Sequence, residues 1–411
     1  MSSSAPLTGA GINIAGQDQI YDPYEYKLHD NPYPVYKRLR DDYPLFYNKR
    51  HDFYAISRYD DCMAALRNFR IFVNKYSTTL EKEIIPGVLP FILMLDPPDH
   101  TRLRHLLVNQ FRPQNVAPLE DIVRKMARKL LAPHAHAGKI DIIQDFAAKL
   151  PMAIICQLMG VREEDEDMLR GWTDDIVHRD DGVSETTEIN ETGTRNLLGY
   201  FELMIQARLK TGEFGEDLVG QLMTFEKEGK LNHAEVLGYL FLITIGGNET
   251  TTKLIGNFSW QLWHAKDECA RVIADRSLAA AAVEETLRID GPTQMQARTT
   301  SEDFEMYGHV IPAGSKVAVI LTSGNRDERH YTDPDRFMID RHSRDHLGFG
   351  AGLHSCLGAA LARMEGRIAL EEMLDIMPHW EVVEANSHRM HSAYVRGYTH
   401  LPLIFTPRSQ S

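Results

Sequence analysis

The chain has 411 residues, of which 43% are hydrophobic and 25% are charged, so it can bury a large core and has the composition of a folded globular protein. Its formal net charge of -13 excludes a protein that needs a broad basic surface to neutralise nucleic-acid phosphates. Residues 1–6 lack the basic segment and apolar run of a signal peptide, and no apolar run elsewhere reaches the length of a bilayer span. We therefore expect a cytoplasmic protein that has no membrane segment and binds no nucleic acid.

The N-terminal part of the chain predicts an arm followed by a small sheet. Residues 1–19 are small and polar, which indicates a loose arm, and the first helical pattern falls at residues 32–39. Aromatic-rich runs at 44–47 and 53–57, separated by a charged turn, predict a hairpin. No Pro-rich or Gly/Ser-rich linker divides the remainder, so residues 20–411 are expected to form a single domain.

The middle of the chain is mainly helical, and strands return near its end. Helical periodicity is clearest at residues 119–131, 197–209 and 237–254. After Arg288 the pattern changes to short β-like runs such as 317–321, with Gly/Pro turns between them. The order of these segments predicts an α+β fold, mainly α with small β-sheets.

A long helix with an unusual centre is predicted to start after Asn232. Asn232 and Glu235 have the spacing of a capping box, and an apolar run follows them. Further on, two glycines, an asparagine, Glu249 and three threonines occupy residues 246–252, which is a costly composition for a helix interior. This segment is either a kink with threonines bonded to the preceding turn or a catalytic element.

The four cysteines point to one special thiol. They are far apart, so neither a disulfide framework nor a structural zinc site is expected. Three are expected to be buried and inert. Cys356 differs because Gly350 and Gly352 precede it in a loop that leads into a helix, whose first amides and dipole can stabilise a thiolate.

The segment Phe-Gly-Ala-Gly-Leu-His-Ser-Cys-Leu-Gly, residues 349–358, resembles the signature of the cytochrome P-450 family. The resemblance extends over nearly the whole chain, from about Pro32 to Phe405. It implies a single fold in which heme b, iron protoporphyrin IX, is buried between the long central helix and the cysteine loop with its helix. It also implies that Cys356 is the axial ligand of the iron, and that a thiolate there favours cleavage of the O–O bond. The loop residues assigned to heme contact are Phe349, Gly350 and Gly358.

Two further segments resemble family motifs and occur in the expected order. Glu285 and Arg288 match Glu-x-x-Arg, and Arg336 matches the Arg-containing element that follows it. A lone pair at this spacing is usually a surface pair that contributes a few tenths of a kcal/mol. The resemblance instead implies a buried structural charge triad of Glu285, Arg288 and Arg336.

The same resemblance assigns the oxygen site and the heme propionates. Glu249 and Thr250 are expected to relay protons while O₂, the co-substrate, is activated. The longer Glu249 side chain stands where many relatives have Asp. Two propionates require cationic and hydrogen-bonding partners. The four residues assigned to the propionates are His100, Arg104, Arg298 and His354.

The substrate pocket is assigned by position alone. Its expected walls are Leu93, Leu242, Ile245, Gly246, Thr293, Gln294, Tyr394 and Val395. Because most are apolar, the pocket favours a neutral hydrophobic molecule such as a terpenoid, steroid, aromatic compound or polyketide. Gln294 could instead bind a polar group, and Arg396 could bind an acid if it points inward. Hydroxylation is the expected reaction, with epoxidation, demethylation and oxidative coupling left open.

Electrons are expected from separate proteins, since the heme domain accounts for the chain. The expected partners are a ferredoxin and its NAD(P)H-dependent reductase, or a flavodoxin, acting on a monomeric enzyme. A local basic patch can steer an acidic partner despite the net charge. The patch is assigned to Arg102, His105, Arg112 and Arg363. The alternative is a heme-thiolate sensor or ligand-binding protein without turnover, against which the Glu249 and Thr250 pair argues.

Overall fold

The computed structural model describes residues 20–81, 92–178 and 187–407. The predicted arm at residues 1–19 lies outside these residues. The α-helices of the described residues are α1 (Tyr26–Asp30), α2 (Tyr33–Asp42), α3 (Tyr59–Arg67), α4 (Asp99–Leu107), α5 (Pro113–Val116), α6 (Glu120–Leu131), α7 (Leu150–Met159), α8 (Glu166–Val177), α9 (Glu188–Thr211), α10 (Leu218–Lys227), α11 (His233–His264), α12 (Lys266–Ala274), α13 (Ala279–Ile289), α14 (Leu321–Gly324) and α15 (Ala359–Ile376).

The strands are short and form small sheets. They are β1 (Leu45–Asn48), β2 (Phe53–Ile56), β3 (Phe72–Val73), β4 (Lys139–Asp141), β5 (Gln296–Thr300), β6 (Phe304–Met306), β7 (His309–Ile311), β8 (Lys316–Val319), β9 (Trp380–Val382), β10 (His388–Arg389), β11 (Tyr398–His400) and β12 (Pro402–Phe405). The mainly α fold class with small sheets is therefore confirmed. Helices α9 and α11 contain the predicted segments 197–209 and 237–254, and α6 covers 120–131 of the segment 119–131.

The largest sheet joins the two ends of the chain. Its strand order is β1-β2-β8-β5-β3, so the predicted N-terminal hairpin is confirmed, with Leu45 opposite Ile56. Strand β8 lies parallel to β2 and antiparallel to β5. Three smaller sheets have the orders β4-β12-β9, β6-β7 and β10-β11. Strand β11 also contacts α11, so the β10-β11 pair lies close to the helical body.

Helix α11 is the central element of the helical body. At 32 residues it extends about 48 Å, and it packs against α7, α8, α9, α13 and α15. The capping box is confirmed, because the Asn232 side chain accepts a hydrogen bond from the amide of Glu235 at 2.9 Å and the Glu235 carboxylate accepts one from the Asn232 amide at 2.9 Å. Most of its faces are buried, as expected for a core helix.

Two details differ from the sequence expectations. The first helix starts earlier than the predicted segment at 32–39, because the five-residue α1 is too short to show a hydrophobic period. In addition, the stretch Ile142–Met159 is long and apolar enough, by composition, to span a membrane. Within the described residues 72% of that stretch is buried inside the protein, as in the core helix of a globular fold.

Candidate active site

The loop that carries Cys356 turns through two glycines in the left-handed region. Gly350 has φ 67° and Gly352 has φ 70°, conformations that side chains rarely adopt. A Cβ on Gly352 would lie 2.6 Å from the carbonyl oxygen of Leu66, so glycine also lets the loop pack against the end of α3. The amide of Cys356 donates to the carbonyl of Phe349 at 2.8 Å. This bond closes the loop just before α15 begins.

Cys356 is the one exposed cysteine of the four. The three buried cysteines, as predicted, are Cys62, Cys156 and Cys269. Although Cys356 has accessible surface, many protein atoms surround its sulfur, and this desolvation raises the pKa of the thiol. A hydrogen bond from the Gly358 amide and the positive charges of Arg104 and Arg363 act in the opposite direction. The helix-start amide predicted to stabilise a thiolate is therefore present.

Glu284 holds Arg363 in place beneath the loop that carries Cys356. Arg363 is hydrogen bonded to the Glu284 carboxylate, and its guanidinium carbon lies 4.5 Å from the ring centroid of Phe349. His346 contacts the same carboxylate at 2.9 Å. Burial raises the pKa of Glu284, but the hydrogen bonds from His346 and Arg363 outweigh it and bring the pKa to about 2. The loop is thus tied to α13 by a short charge network.

Two histidines and two arginines lie together near Cys356. His100 and Arg104 are one turn apart on α4, Arg298 lies on β5, and His354 lies in the loop. The imidazole rings of His100 and His354 have centroids 4.2 Å apart. Arg104 donates to the Ser355 carbonyl at 2.7 Å. The structure therefore brings together all four residues that the sequence assigns to the propionates.

This cluster has more positive charge than the protein compensates. No carboxylate of the described residues lies within 4 Å of Arg104 or Arg298, although Arg298 is buried. Both ring nitrogens of His100 and Nε2 of His354 are buried without a hydrogen-bond partner there. Burial lowers the pKa of Arg298 to about 10. Such a set of donors could hold an anionic cofactor with two carboxylates, which would supply the missing partners.

The centre of α11 presents a glycine and a threonine on one face. The Thr250 hydroxyl donates to the Gly246 carbonyl one turn earlier, at 2.7 Å. A Cβ on Gly247 would lie 2.5 Å from Cδ1 of Ile155, so this glycine permits the close contact between α11 and α7. The predicted bond from a threonine to the preceding turn is therefore present, and it leaves the oxygen lone pairs of Thr250 able to accept a hydrogen bond.

Glu249 faces a different direction and is buried in a charge network. Its carboxylate lies 3.2 Å from Nζ of Lys253, and the Asp174 carboxyl group of α8 lies close enough to shift its pKa. Burial raises the pKa of Glu249, but Lys253 and Asp174 lower it overall, whereas burial and Glu249 raise the pKa of Asp174. Lys253 fits because position 397 is glycine: a Cβ on Gly397 would lie 2.5 Å from the Lys253 Cβ.

The buried charge triad is present, but one of its predicted members is wrong. Arg288 contacts both oxygens of Glu285 at 2.7 and 2.8 Å. The second guanidinium on Glu285 is that of Arg341, with Nε at 3.2 Å. Arg336 is exposed and supplies only its carbonyl oxygen, which accepts from Arg288 at 3.3 Å. The loop beyond residue 333 folds back, so that Arg341 rather than Arg336 reaches the carboxylate.

Comparison with known proteins identifies the family. A family model described as Cytochrome P450 matches residues 204–377. The putative cytochrome P450 123 of Mycobacterium tuberculosis is 36% identical over 403 residues, which are 97% of this chain and 100% of the relative. The chain belongs to the cytochrome P450 family. Its members are heme-thiolate monooxygenases, and so is this P450.

Further relatives and solved structures agree. The polyketide biosynthesis cytochrome P450 PksS of Bacillus subtilis is 33% identical over 93% of this chain and 98% of its own length. The crystal structure of CYP109E1 from Bacillus megaterium in complex with testosterone has a TM-score of 0.85 and 28% identity, and it covers 93% of this chain and 99% of that one. The fold of this P450 is therefore that of the bacterial members of the family.

The residues assigned to the substrate pocket of this P450 fall into two groups. The first is Leu93, Leu242, Ile245 and Gly246, and the second is Thr293, Gln294, Tyr394 and Val395. Leu93 is 37% exposed, Gly246 is exposed, and Leu242 and Ile245 are partly exposed on the same stretch of α11. Thr293 pairs with Val395 through an isolated β-bridge, which holds the two chain segments together. The first group thus keeps accessible apolar surface beside Thr250, as expected of pocket walls.

Gln294 and Tyr394 are engaged within the protein. The Gln294 side-chain oxygen accepts from the Tyr36 hydroxyl at 2.9 Å, and its amide donates to the Ser392 carbonyl at 3.3 Å. The Tyr394 hydroxyl accepts from the Leu80 amide at 2.7 Å. Because the polar atoms of Gln294 are used and the residue is buried, the suggestion that it anchors a polar substrate group is wrong for this structure.

Arg396 is likewise unable to anchor an acidic substrate. It is buried and lies 2.8 Å from the Asp290 carboxylate, and it also donates to the His29 carbonyl at 2.5 Å. Burial raises the pKa of Asp290, but Arg396 and neighbouring groups lower it far more. The possibility that Arg396 points into the substrate pocket is therefore contradicted, because its charge is neutralised inside the core.

Two partners of Glu249 were absent from the sequence predictions. Lys253 follows Glu249 by four residues, and that spacing is a known signal for a helical ion pair. Asp174 lies 75 residues earlier in the chain, on another helix, and no local pattern connects the two. Helix packing alone brings Asp174 to Glu249.

Proposed function

We propose that this P450 inserts one oxygen atom from O₂ into a neutral, hydrophobic small molecule, most simply as a hydroxylation. The observation that carries the proposal is the position of Cys356. It is the exposed cysteine, it stands at the start of α15, and donors without acidic partners lie beside it. The other elements of the proposal depend on this arrangement.

The residues present fit a heme b group. Cys356 would be the axial ligand, with Phe349, Gly350 and Gly358 forming the loop against the cofactor. A Cβ on Gly358 would meet no protein atom within 4 Å, so packing within the protein does not itself require glycine there. The four propionate partners would be His100 and His354, which have unpartnered buried ring nitrogens, and Arg104 and Arg298, which have no acidic partner among the described residues. Heme, when bound, supplies the iron that binds O₂ and accepts electrons one at a time.

Thr250 and Glu249 are proposed to manage protons for oxygen activation. The Thr250 hydroxyl donates to Gly246 and so has lone pairs free to accept a hydrogen bond from a water. The Glu249 carboxylate lies beside Asp174, whose pKa is raised by burial and by Glu249, and both residues line one cavity. A carboxylate that can exchange a proton with a partner is suited to general acid–base work.

A neutral substrate is supported because neither residue considered as an anchor for a charged or polar group is available to a substrate. Arg396 and Gln294 are committed to protein partners, so neither offers a charge or a polar group to a substrate. The remaining assigned walls, such as Leu242 and Ile245, are apolar. One relative is named for polyketide biosynthesis, another is named a vitamin D(3) 25-hydroxylase, and a similar structure holds testosterone. These relatives favour steroids and polyketides within the hydrophobic class.

Electrons are proposed to come from a ferredoxin with its NAD(P)H-dependent reductase, or from a flavodoxin, to a cytoplasmic monomer. The basic residues proposed for docking are Arg102, His105, Arg112 and Arg363. Arg102 and Arg363 are already paired, with Glu235 and Glu284. His105 and Arg112 are exposed, and within the described residues neither lies within 4 Å of a carboxylate. We expect these two to contribute more to steering than the paired residues.

The alternative is a heme-thiolate sensor that binds a ligand without turnover. The buried network of Glu249, Lys253 and Asp174 favours the enzyme, because a sensor has no use for a proton-exchanging pair beside the oxygen site.

The test is spectroscopic and then catalytic. The purified protein is reduced under carbon monoxide, and the red-shifted Soret band of a thiolate-ligated ferrous carbonyl is expected. Cys356→Ser should lose that band, whereas the matched control Cys269→Ala, at a buried cysteine, should keep it. A panel of steroids and polyketides is then supplied with ferredoxin, reductase and NADPH. A normal carbonyl band with no product from any substrate would favour the sensor, and no heme at all would contradict the proposal.

A further inference from the structure

The cavity beside Asp174 and Glu249 lies apart from the Cys356 loop. It has a volume of about 490 Å³ and is lined by residues of α1, α8, α11 and the β10-β11 region. The charged groups on its walls are Arg170 and Asp174 of α8, Glu249 and Lys253 of α11, and Arg389 of β10. None of the residues assigned to heme or to the substrate pocket lines it. Its size lies in the range of small-molecule sites.

Arg389 is a positive charge without an acidic partner. Its guanidinium carbon lies 4.2 Å from the ring centroid of Tyr398 and 5.7 Å from that of Trp260, and these rings hold it by cation–π contact. Within the described residues no carboxylate lies within 4 Å of it, and its Nη1 is buried without a hydrogen-bond partner. The nearby Asp290 carboxylate is bonded to Arg396 instead, at 2.8 Å.

A strand irregularity turns two donors toward the cavity. His388 and Arg389 are consecutive residues of β10, and successive side chains of a regular strand point to opposite faces. The pairing of β10 with β11 shifts register between these two residues, and both of them line the cavity. Bulges of this kind re-aim side chains, so the local geometry presents an imidazole and a guanidinium to one space.

The charges on the walls do not balance. Lys253 lies 3.2 Å from Glu249, and Arg170 lies 3.8 Å from Asp174. Burial and the neighbouring Glu249 raise the pKa of Asp174. Lys253 and Arg170 thus each have a carboxylate partner, Arg170 also pairing with Asp167 at 3.3 Å, whereas Arg389 has none among the described residues.

We infer that this cavity binds a small organic anion, a carboxylate or a phosphate ester, with Arg389 as its charge partner and His388 and Lys253 as further donors. The volume exceeds what an inorganic anion needs, so the ligand has an organic body as well as an acid group. Tyr398 and Trp260 fix the guanidinium, which reduces the entropy lost when the anion binds. The site goes beyond the proposed function and does not require it.

The experiment uses the heme-loaded, full-length protein at low ionic strength. Citrate and inorganic phosphate are titrated by calorimetry, and fluorescence of Trp260 provides a local second signal. We expect saturable binding of one citrate per chain without a change in the Soret spectrum, since the anion does not enter the heme site. In Arg389→Gln the affinity should fall about tenfold or more, the effect of losing a charge-assisted hydrogen bond.

The controls separate a site from general attraction. Arg38→Gln removes another cation that lies over a tyrosine ring, 5.7 Å from the Tyr43 centroid, but outside the cavity, and should leave the affinity unchanged. His388→Gln changes an exposed side chain, so it tests the site even if the Arg389 variant fails to fold, and should weaken binding several-fold. The inference would be overturned if neither anion bound saturably or if His388→Gln left the affinity unchanged. It would also be overturned if Arg38→Gln weakened binding as much as Arg389→Gln does.

Discussion

Nζ of Lys253 lies 3.2 Å from Oε2 of Glu249, one helical turn away on α11, and both side chains are about 5% exposed or less. Each of these charges would be expensive to bury alone, since the interior of a protein does not replace the solvation that water gives. The glycine at position 397 makes room for the lysine side chain. The pair therefore keeps Glu249 ionised inside the protein, where an isolated carboxyl group would take up a proton.

Lys253→Met should destabilise the protein, because it leaves Glu249 buried without its partner. Breaking a buried ion pair in this way costs about 3–5 kcal/mol, and we expect a loss in that range from urea denaturation followed by circular dichroism. The double variant Lys253→Met with Glu249→Gln should recover most of the loss, since no unpaired charge remains. If the double variant is as unstable as the single one, packing rather than charge explains the effect.

The charge triad gives a direct comparison between two arginines. Arg341→Met removes the guanidinium that contacts Glu285 at 3.2 Å, and should lower the free energy of unfolding by about 2 kcal/mol, as for loss of a hydrogen bond to a charged group. Arg336→Met changes an exposed side chain and should stay within about 0.5 kcal/mol. Both values come from the same denaturation experiment. A larger effect at Arg336 would restore the assignment made from the motif.

These two arginines show what could and what could not be predicted from the sequence. The motif correctly predicts that the segment after Asp333 meets Glu285, but the segment has no regular period, so the spacing does not decide which side chain arrives. Long helices such as α11 could be predicted because their hydrophobic pattern is local. Contacts between distant segments, such as Asp174 with Glu249, depend on the packing of whole helices. The same limit explains why Arg396 was considered for the substrate pocket, although it lies in the core.

The pKa of Glu284 predicts a contribution to acid stability. The folded-state pKa is about 2, below the ordinary value of 4.5, so the carboxylate stabilises the fold above pH 4.5 and this contribution is lost as the pH falls from about 4.5 to 2. The shift corresponds to at most about 3 kcal/mol for a side chain that is 17% exposed. Glu284→Gln should flatten the stability profile over that window, measured by denaturation at several pH values.

Glu371 is a suitable comparison for Glu284. It pairs with Arg367 and Arg124 and is similarly exposed, at 17% of its side chain, but it lies away from the cysteine loop. Glu371→Gln should therefore leave the heme spectrum unchanged, whereas Glu284→Gln should broaden it because Arg363 loses its anchor beneath Phe349. Equal spectra for both variants would show that the network supports stability alone.

Thr250 allows the proposed oxygen chemistry to be separated from heme binding. Thr250→Val keeps the shape of the side chain and removes the hydroxyl, so the carbon monoxide spectrum should be unchanged while product formed per NADPH consumed falls by about a hundredfold, the usual scale of a general acid–base contribution. Thr250→Ser retains the hydroxyl and its bond to the Gly246 carbonyl, and should keep most of the yield. Product is measured by mass spectrometry and NADPH by absorbance in the same reaction. Because both variants leave Glu249 and the Cys356 loop intact, equal yields in Val and Ser would mean that the hydroxyl has no part in the reaction.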